Sequence, residues 1–165
     1  TYQPEHYSIV HAARQDYAGF YEEEIAYREL MQYPPAAHML AVLVTSREQE
    51  QGAALSARLA GAANVLRQGK TRTGRTGNSP GQGAAGAAGG MEQDADAERW
   101  QLLQVIGPAE ASIGRINDLY RHVFYMKHPD YQVLVEIKDN LERLCKGEEL
   151  KNQTVQYDFD PMNTY

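Results

Sequence analysis

A run of 31 residues, from Gln68 to Glu98, sets the strongest limit on what this chain can fold into. The run holds 8 of the 14 glycines and no aromatic or β-branched aliphatic side chain. It cannot bury enough apolar surface to offset a backbone-ordering cost of about 1–2 kcal/mol per residue. We therefore expect residues 68–98 to form a disordered Gly/Ala-rich loop inside a domain, and the rest of the 165 residues to fold around it.

The segment before Pro34 has the pattern of a helix. Asp16 is of a residue type that caps helix N-termini, and Pro34 and Pro35 end the helix because proline lacks an amide hydrogen. Between them, apolar side chains recur at helical spacing at Tyr17, Phe20, Tyr21, Ile25 and Met31. A short lead at residues 1–15 precedes this predicted helix.

After Pro35 the apolar periodicity alternates between strands and helices. In chain order the pattern predicts a strand at 38–44, a helix at 46–66, a strand at 102–106 that is broken at Gly107-Pro108, a strand at 120–127, a helix at 129–146 and a strand at 155–159. This order is the split βαβ plan, an α+β, ferredoxin-like domain with both helices on one face of a single sheet. The other face is expected to stay open unless a partner covers it. Because many functions share this plan, it does not identify one.

The chemistry that enzymes and metal proteins need is sparse in this sequence. The single cysteine, Cys145, excludes a disulfide framework and a zinc site of several thiolates within this chain. The chain has no Gly-rich Lys-Ser/Thr phosphate loop, no strand-linked GxGxxG and no GxSxG. No apolar run approaches the roughly 20 residues that span a bilayer. We expect no catalytic residues, no metal site and no membrane contact.

One group of residues rises above this background. Between Arg115 and Lys127 three cations stand against a single acid, and aromatic residues are interleaved with them, although the whole chain carries a net charge of −6. Cations neutralise phosphates and aromatic faces stack on bases, so the predicted nucleic-acid-binding residues are Arg115, Tyr120, Arg121, Tyr125 and Lys127. Strand alternation places Arg121, Tyr125 and Lys127 on the same, outward face. The alternative is an ordinary solvated sheet face, with Tyr120 and Phe124 in the core.

Several blocks of the sequence resemble a known family. In chain order they are Thr1–His6, Asp16–Ile25 with Arg28, Tyr33–Pro35, Gly107–Ala111, Arg115–Ile116, Tyr120–Arg121 and Asp158–Asn163. Together they are similar to primosomal protein N′, the PriA-type bacterial replication-restart DNA helicases. The resemblance covers both ends and the middle of the chain and fails only across the Gly/Ala-rich loop.

The resemblance implies that the chain is part of a longer protein. Residues 1–33 would be the helical tail of the helicase motor lobe, and 34–165 the family's C-terminal domain, similar in fold to a small-subunit ribosomal protein. The ATP-binding motor and the zinc-binding cysteines would lie upstream, so this fragment would not be an enzyme by itself and would hold no cofactor. A replication-restart protein of this family would be cytoplasmic and associated with the nucleoid.

The family's C-terminal domain is implied to bind branched or single-stranded DNA and to help dock the single-stranded DNA-binding protein, alongside other primosome proteins. Some members hold the acidic tail of that partner with Arg and Gln one turn apart early in the last helix. Tyr131 and Val135 stand at those positions here. The alternative function is a protein-docking module, whose open sheet face packs on the motor domains or a partner and which binds no DNA of its own.

Overall fold

The computed structural model of the chain describes residues 2–75, 95–146, 150, 152–162 and 165. Its elements, in chain order, are α1 (Tyr7–Arg14), α2 (Tyr17–Met31), β1 (His38–Ser46), α3 (Gln49–Arg75), the helical residues 95–101 (α4), β2 (Gln104–Ile116), β3 (Leu119–His128), α5 (Tyr131–Lys146) and β4 (Gln153–Phe159).

The strands form one sheet in the order β2-β3-β1-β4, and every neighbouring pair is antiparallel. β1 and β2 are joined through α3 but lie on either side of β3. β3 and β4 are joined through α5 and lie on either side of β1. This arrangement is the split βαβ plan, so the predicted α+β fold with a preceding helical segment is confirmed.

The main core lies between one face of the sheet and the helices α3 and α5. It is made of apolar side chains that are at most 4% exposed: Leu40, Val42, Val44, Leu55, Leu59, Ala60, Ala63, Trp100, Leu103, Phe124, Met126, Val133, Leu134, Ile137 and Leu141. The predicted alternation of β3 is confirmed, since Phe124 and Met126 face this core. The predicted helix at 129–146 is confirmed as α5, and its Val133, Leu134, Ile137 and Leu141 are buried in this core, whereas Leu144 is 50% exposed.

The opposite face of the sheet is covered in part by the chain itself. Leu43, Ala111 and Val123 form a second, smaller buried cluster there, and Tyr125 and Tyr165 pack against it. The expectation that this face stays open is therefore wrong for its centre. A strand whose two faces are both apolar must be covered on both sides, and β1 is such a strand from Met39 to Val44.

The predicted Gly/Ala-rich loop is too wide at both edges. Helix α3 continues to Arg75 and residues 95–101 are helical, so 68–75 and 95–98 belong to helices. Gly69 does not end α3, because one glycine inside a helix costs only about 1 kcal/mol. On the return side Ala97 and Trp100 are buried and fix α4 on the core. The rest of the predicted loop, 76–94, lies outside the described residues.

Strand β2 also differs from its prediction, which ended it at Gly107-Pro108. The strand begins at Gln104 and continues through this pair to Ile116, with a first register shift between Ile106 and Ala109 and a second between Glu110 and Arg115. Gly107 has φ +97°, and a Cβ there would lie 3.2 Å from the carbonyl oxygen of Val123. Only glycine fits this position, and a bulge of this kind accommodates a proline that cannot donate to the sheet.

The N-terminal segment forms a helical hairpin. The predicted helix from Tyr17 is confirmed, and the Oδ1 atom of Asp16 caps it by accepting from the Gly19 amide at 2.9 Å. Sequence reasoning missed α1, which the side chain of His6 caps. Neither helix has a buried residue among those described, and Tyr17 and Leu30 are 76% and 80% exposed.

Two glycines of α3 provide a matched test of the packing under this helix. A Cβ on Gly52 would lie 3.0 Å from Ser46 Cβ and 3.1 Å from His122 Nδ1, whereas a Cβ on Gly61 would meet nothing within 4 Å. We expect Gly61→Ala to raise the free energy of unfolding by about 0.5–1 kcal/mol through helix propensity. Gly52→Ala should lower it by about 1 kcal/mol, because Ser46 and His122 are buried on strands and cannot give way. Urea unfolding of both variants measures the difference, and equal gains would contradict this account of the packing.

Candidate nucleic-acid interface

The turn between β2 and β3 presents the first part of the predicted surface. Asn117 and Asp118 both have positive φ, 50° and 60°, which is the geometry of a two-residue hairpin turn. The turn pairs Arg115 with Tyr120 across the strands, and the guanidinium lies 5.0 Å from the ring centroid. Arg115 also donates to Asp118 Oδ1 at 2.7 Å, and its side chain stays 55% exposed. Arg115 and Tyr120 thus form an accessible cation–aromatic pair, which we call the hairpin tip.

The second part lies on the face of β3 that points away from α3 and α5. Arg121, Tyr125 and Lys127 share this face, as the alternation predicted. The large register shift in β2 between Glu110 and Arg115 releases backbone groups from the ladder beside it. The carbonyl oxygen of Ile113, within that shift, accepts from Arg121 Nη1 at 3.0 Å. Arg121 is therefore fixed in place by a bulge that the sequence pattern did not predict.

Tyr165 closes over this face. Its amide donates to Tyr125 Oη at 3.2 Å, its carbonyl accepts from the Ser112 amide at 2.7 Å, and its hydroxyl donates to Asp158 Oδ2 at 2.6 Å. The guanidinium carbon of Arg121 lies 5.9 Å from the centroid of the Tyr165 ring. The hydrogen bond to Asp158 raises the pKa of Tyr165, so its hydroxyl keeps its proton and acts as a donor. We call the site that Tyr165 occupies, between Arg121, Tyr125, Asp158 and the Ser112 amide, the Tyr165 slot.

Lys127 departs from the prediction of an outward, exposed cation. It is only 6% exposed, and burial lowers the pKa of its amine. Its Nζ atom donates to the carbonyl oxygen of Met31 at 3.2 Å and lies 3.6 Å from the centroid of the Tyr33 ring. The first of these contacts satisfies a carbonyl that the end of α2 leaves without a helical partner. The Lys127 side chain therefore joins α2 to the sheet and does not face solvent.

The structure thus separates the five predicted residues into three environments. Arg115 and Tyr120 are at the hairpin tip, Arg121 and Tyr125 line the Tyr165 slot, and Lys127 is buried under α2. Sequence reasoning missed Asp158 and Tyr165, which complete the slot. The alternation of β4 could have indicated Asp158, because it sets this residue on the face opposite Tyr157.

A cleft of about 490 Å³ separates α2 from this face of the sheet. Its walls include Tyr27 and Arg28 from α2, Tyr125 from β3 and Asp160 after β4. The polar groups inside are largely paired within the chain. Arg28 donates to Glu24 at 2.6 Å and to the carbonyl oxygen of Pro34 at 2.6 Å, while Asp160 accepts from the amide of Met39 at 2.7 Å. The cleft marks the seam between the helical hairpin and the sheet.

The start of α5 holds Tyr131 and Val135, the two residues that the sequence analysis singled out in the last helix. The Tyr131 ring packs between His38 and Phe159, with centroids 5.3 and 5.0 Å away. Val135 is half-buried and carries no donor. These two side chains carry no charge, and the cation beside them, Arg99, is already paired with Asp130 at 2.8 Å.

Metal binding and membrane crossing concern, here, the part of the chain that the structure describes. In that part of the chain, no group of three or more His, Cys, Asp and Glu side chains is placed to hold a metal ion. None of its helices combines the length and the apolar character that crossing a bilayer requires.

Comparisons with known proteins agree on one family. Residues 29–162 match the family model described as "Primosomal protein N C-terminal domain". The chain is 26% identical over 162 residues to "Replication restart protein PriA" of Bacillus subtilis (strain 168), a match that covers 98% of this chain and 16% of that protein. It is 42% identical over 52 residues to the protein of the same name from Thermotoga maritima, covering 32% of this chain and 7% of that protein. The chain therefore spans about a sixth of the length of the first relative.

The contacts of Lys127 lead to a test of how α2 is held. We expect Lys127→Met to speed amide hydrogen exchange in the last turn of α2, because the carbonyl of Met31 and the ring of Tyr33 lose their cation. The exchange of β1 should change far less. Lys146→Met, at an exposed position on α5, is the matched control. Unchanged exchange in α2 would show that Lys127 does not hold this helix.

Proposed function

Because the chain belongs to the family of primosomal protein N C-terminal domains, we propose that it is the C-terminal module of a replication-restart DNA helicase of the primosome. In this proposal it binds branched or single-stranded DNA and carries no catalytic residues. Family membership supports the role in replication restart. The arrangement of cations and rings on the β2–β3 hairpin supports the contact with DNA.

The observation that carries DNA binding is the hairpin tip. Arg115 is exposed and lies against the face of Tyr120, so a phosphate can approach the guanidinium while the ring supports it. Asp118 already accepts a hydrogen bond from Arg115, and a phosphate must compete with it. Arg121 and Tyr125 lie on the other face of β3, so they would contact DNA separately from the tip. The burial of Lys127 leaves it a supporting role behind this surface.

ATP hydrolysis and strand unwinding belong, in this proposal, to a motor encoded outside these residues. The chain has one cysteine and no phosphate-binding loop, so its residues do not fit ATP or a zinc site of several thiolates. A helicase that acts on bacterial replication forks would work in the cytoplasm, in association with the nucleoid.

Docking of the single-stranded DNA-binding protein is the other activity proposed from the family. Tyr131 and Val135 give the start of α5 an apolar surface instead of a cationic one. Contact with an acidic tail would therefore depend on apolar side chains and would respond little to salt. A titration with a peptide of that tail at two salt concentrations tests this expectation.

DNA binding is tested by titrating the chain into a labelled fork. We expect Arg115→Ala and Arg121→Ala each to weaken binding several-fold, because each removes a cation from the proposed DNA-binding surface. Each change should also reduce the slope of log affinity against log salt by about one. Fluorescence anisotropy across a salt series measures both quantities.

The matched control is Arg143→Ala, which removes an exposed guanidinium from α5, on the helical side of the sheet. This variant should bind the fork as the wild type does. Equal affinity of the wild type and the Arg115→Ala/Arg121→Ala double variant would overturn the assignment of this surface. Hydrolysis of ATP by the chain alone would overturn the non-enzymatic role.

A second candidate function, docking onto other parts of a longer protein, is favoured by the exposed apolar side chains of α2. Tyr17, Tyr21 and Leu30 are 76%, 53% and 80% exposed, and Tyr17 stacks on Tyr21 with centroids 6.4 Å apart. The stacked pair Tyr17 and Tyr21 is an exposed aromatic group of the kind that marks an interaction surface, and Leu30 lies on the other side of the helix, near its end. The docking surface would then be α2, since Tyr165 already covers the sheet face.

This second function predicts that α2 binds the upstream part of its own protein. Leu30→Asp should weaken association with a separately expressed motor portion by about tenfold or more, as the loss of an interface anchor does. Glu29→Asp, at the neighbouring exposed position, is the control. Isothermal titration calorimetry gives both affinities, and an unchanged affinity for Leu30→Asp would exclude the Leu30 side of α2 as the docking surface.

A further inference from the structure

The Tyr165 slot has a floor that the strand register explains. Tyr125, Ala41 and Asp158 lie directly opposite one another across β3, β1 and β4. The small Ala41, only 1% exposed, thus sits between two larger side chains and leaves a notch. The next row of the sheet adds Val123 and Leu43, which are 4% and 5% exposed. The floor is flat and apolar, and polar groups stand only at its edges.

Those polar groups are placed for a planar ring that carries a donor on one edge. The guanidinium of Arg121 faces the ring that lies on the floor, and Asp158 accepts from that ring's hydroxyl at 2.6 Å. The Ser112 amide supplies a backbone donor at the entrance. In the chain itself the ring is that of Tyr165. The Tyr165 side chain thus shows which kind of group the slot accepts, namely a planar ring with a hydrogen-bond donor on one edge.

A nucleobase has the same features as that side chain. It offers a flat face for an apolar floor and for a guanidinium, and its edge carries N–H donors for a carboxylate. An unstacked base of single-stranded DNA could therefore take the place of the Tyr165 ring, with its face on the floor and its N–H edge towards Asp158. The amide of Ser112 would then be free to donate to a phosphate or sugar oxygen, as backbone amides do in DNA complexes.

We propose that the Tyr165 slot binds one unstacked nucleobase, guanine above all, and that Tyr165 occupies the slot in the absence of DNA. The proposal rests on the proposed function, since it names the part of the surface that would read a base. Arg121 covers the face of the base, Tyr125 closes one side, and Asp158 accepts from the edge. Binding of a base and seating of Tyr165 exclude each other.

The preference for guanine follows from Asp158. A carboxylate only accepts hydrogen bonds when it is ionised, and guanine presents two adjacent donors, N1–H and N2–H, on one edge. Thymine presents a single N–H between two carbonyl oxygens, which a carboxylate repels. Adenine and cytosine offer an amino group without a neighbouring ring N–H. A phosphate is disfavoured at this end of the slot because Asp158 is itself negative.

The experiment compares short thymidylate oligonucleotides with and without one central dG, by fluorescence anisotropy. Tyr165→Ala should tighten binding of the dG oligonucleotide by about fivefold or more, which corresponds to the lower end of the stacking energy of one base. The all-dT oligonucleotide should gain less. Adding Asp158→Asn to Tyr165→Ala should remove the preference for dG, because an amide does not match both donors.

Two further variants guard the interpretation. Tyr165→Phe keeps the ring but releases Asp158, so we expect a smaller gain than with Tyr165→Ala and the same preference for dG. This variant gives the readout if circular dichroism shows that Tyr165→Ala has lost its fold. Tyr17→Ala removes a tyrosine that is 76% exposed on α2, and its affinity should equal that of the wild type.

The outcomes separate the slot from the proposed function. If the wild type binds DNA through Arg115 but Tyr165→Ala and Tyr165→Phe bind no tighter, the slot proposal is wrong and DNA binding stands. If the gain is the same for dG and dT, Asp158 does not read the base and the preference for guanine is wrong. If no variant binds either oligonucleotide or the labelled fork at physiological salt, the proposed DNA-binding function fails and the slot proposal fails with it.

Discussion

The rest of the structure depends on the burial of β1 on both faces. From Met39 to Val44 this strand has no exposed residue, so each side of the sheet must be covered by another part of the chain. Helices α3 and α5 cover one side. The other side is covered by the end of α2, by the bulged part of β2 and by Tyr165. The side chains on that second face therefore contact residues that lie far apart in the sequence.

Sequence reasoning predicted the parts of the fold that depend on local periodicity. The two-residue period of a strand is a property of the backbone, so it correctly placed Phe124 in the core and Arg121 on the opposite face. It could not predict that Lys127 is buried, because Met31 and Tyr33 lie far from it in the sequence. The extent of α3 beyond Gly69 escaped it for a related reason, since the penalty of one glycine is small beside the cooperativity of a long helix.

The Tyr165 slot was predicted only in part, because Arg121 and Tyr125 are its only side chains from the predicted strand β3. Arg121 and Tyr125 follow from the pattern of β3, but the carbonyl of Ile113 and the amide of Ser112 are backbone groups released by a register shift. No residue type signals such a shift by itself. Because of the same shift, the carbonyl of Ile113 fixes the direction of the Arg121 guanidinium. A carbonyl does not neutralise the cation as a carboxylate would, so this face keeps a positive charge in a chain whose net charge is −6.

The seat of Tyr165 has a consequence for when a base could enter. A side chain tethered beside its own site competes as though it were present at about millimolar concentration, the range of short flexible linkers. A free nucleotide of equal affinity would have to exceed that local concentration to displace the ring. A base already held nearby, through phosphates bound at the hairpin tip, would be presented at a similar local concentration. Tyr165 would thus limit entry into the slot to bases of a strand that is also bound at a second point.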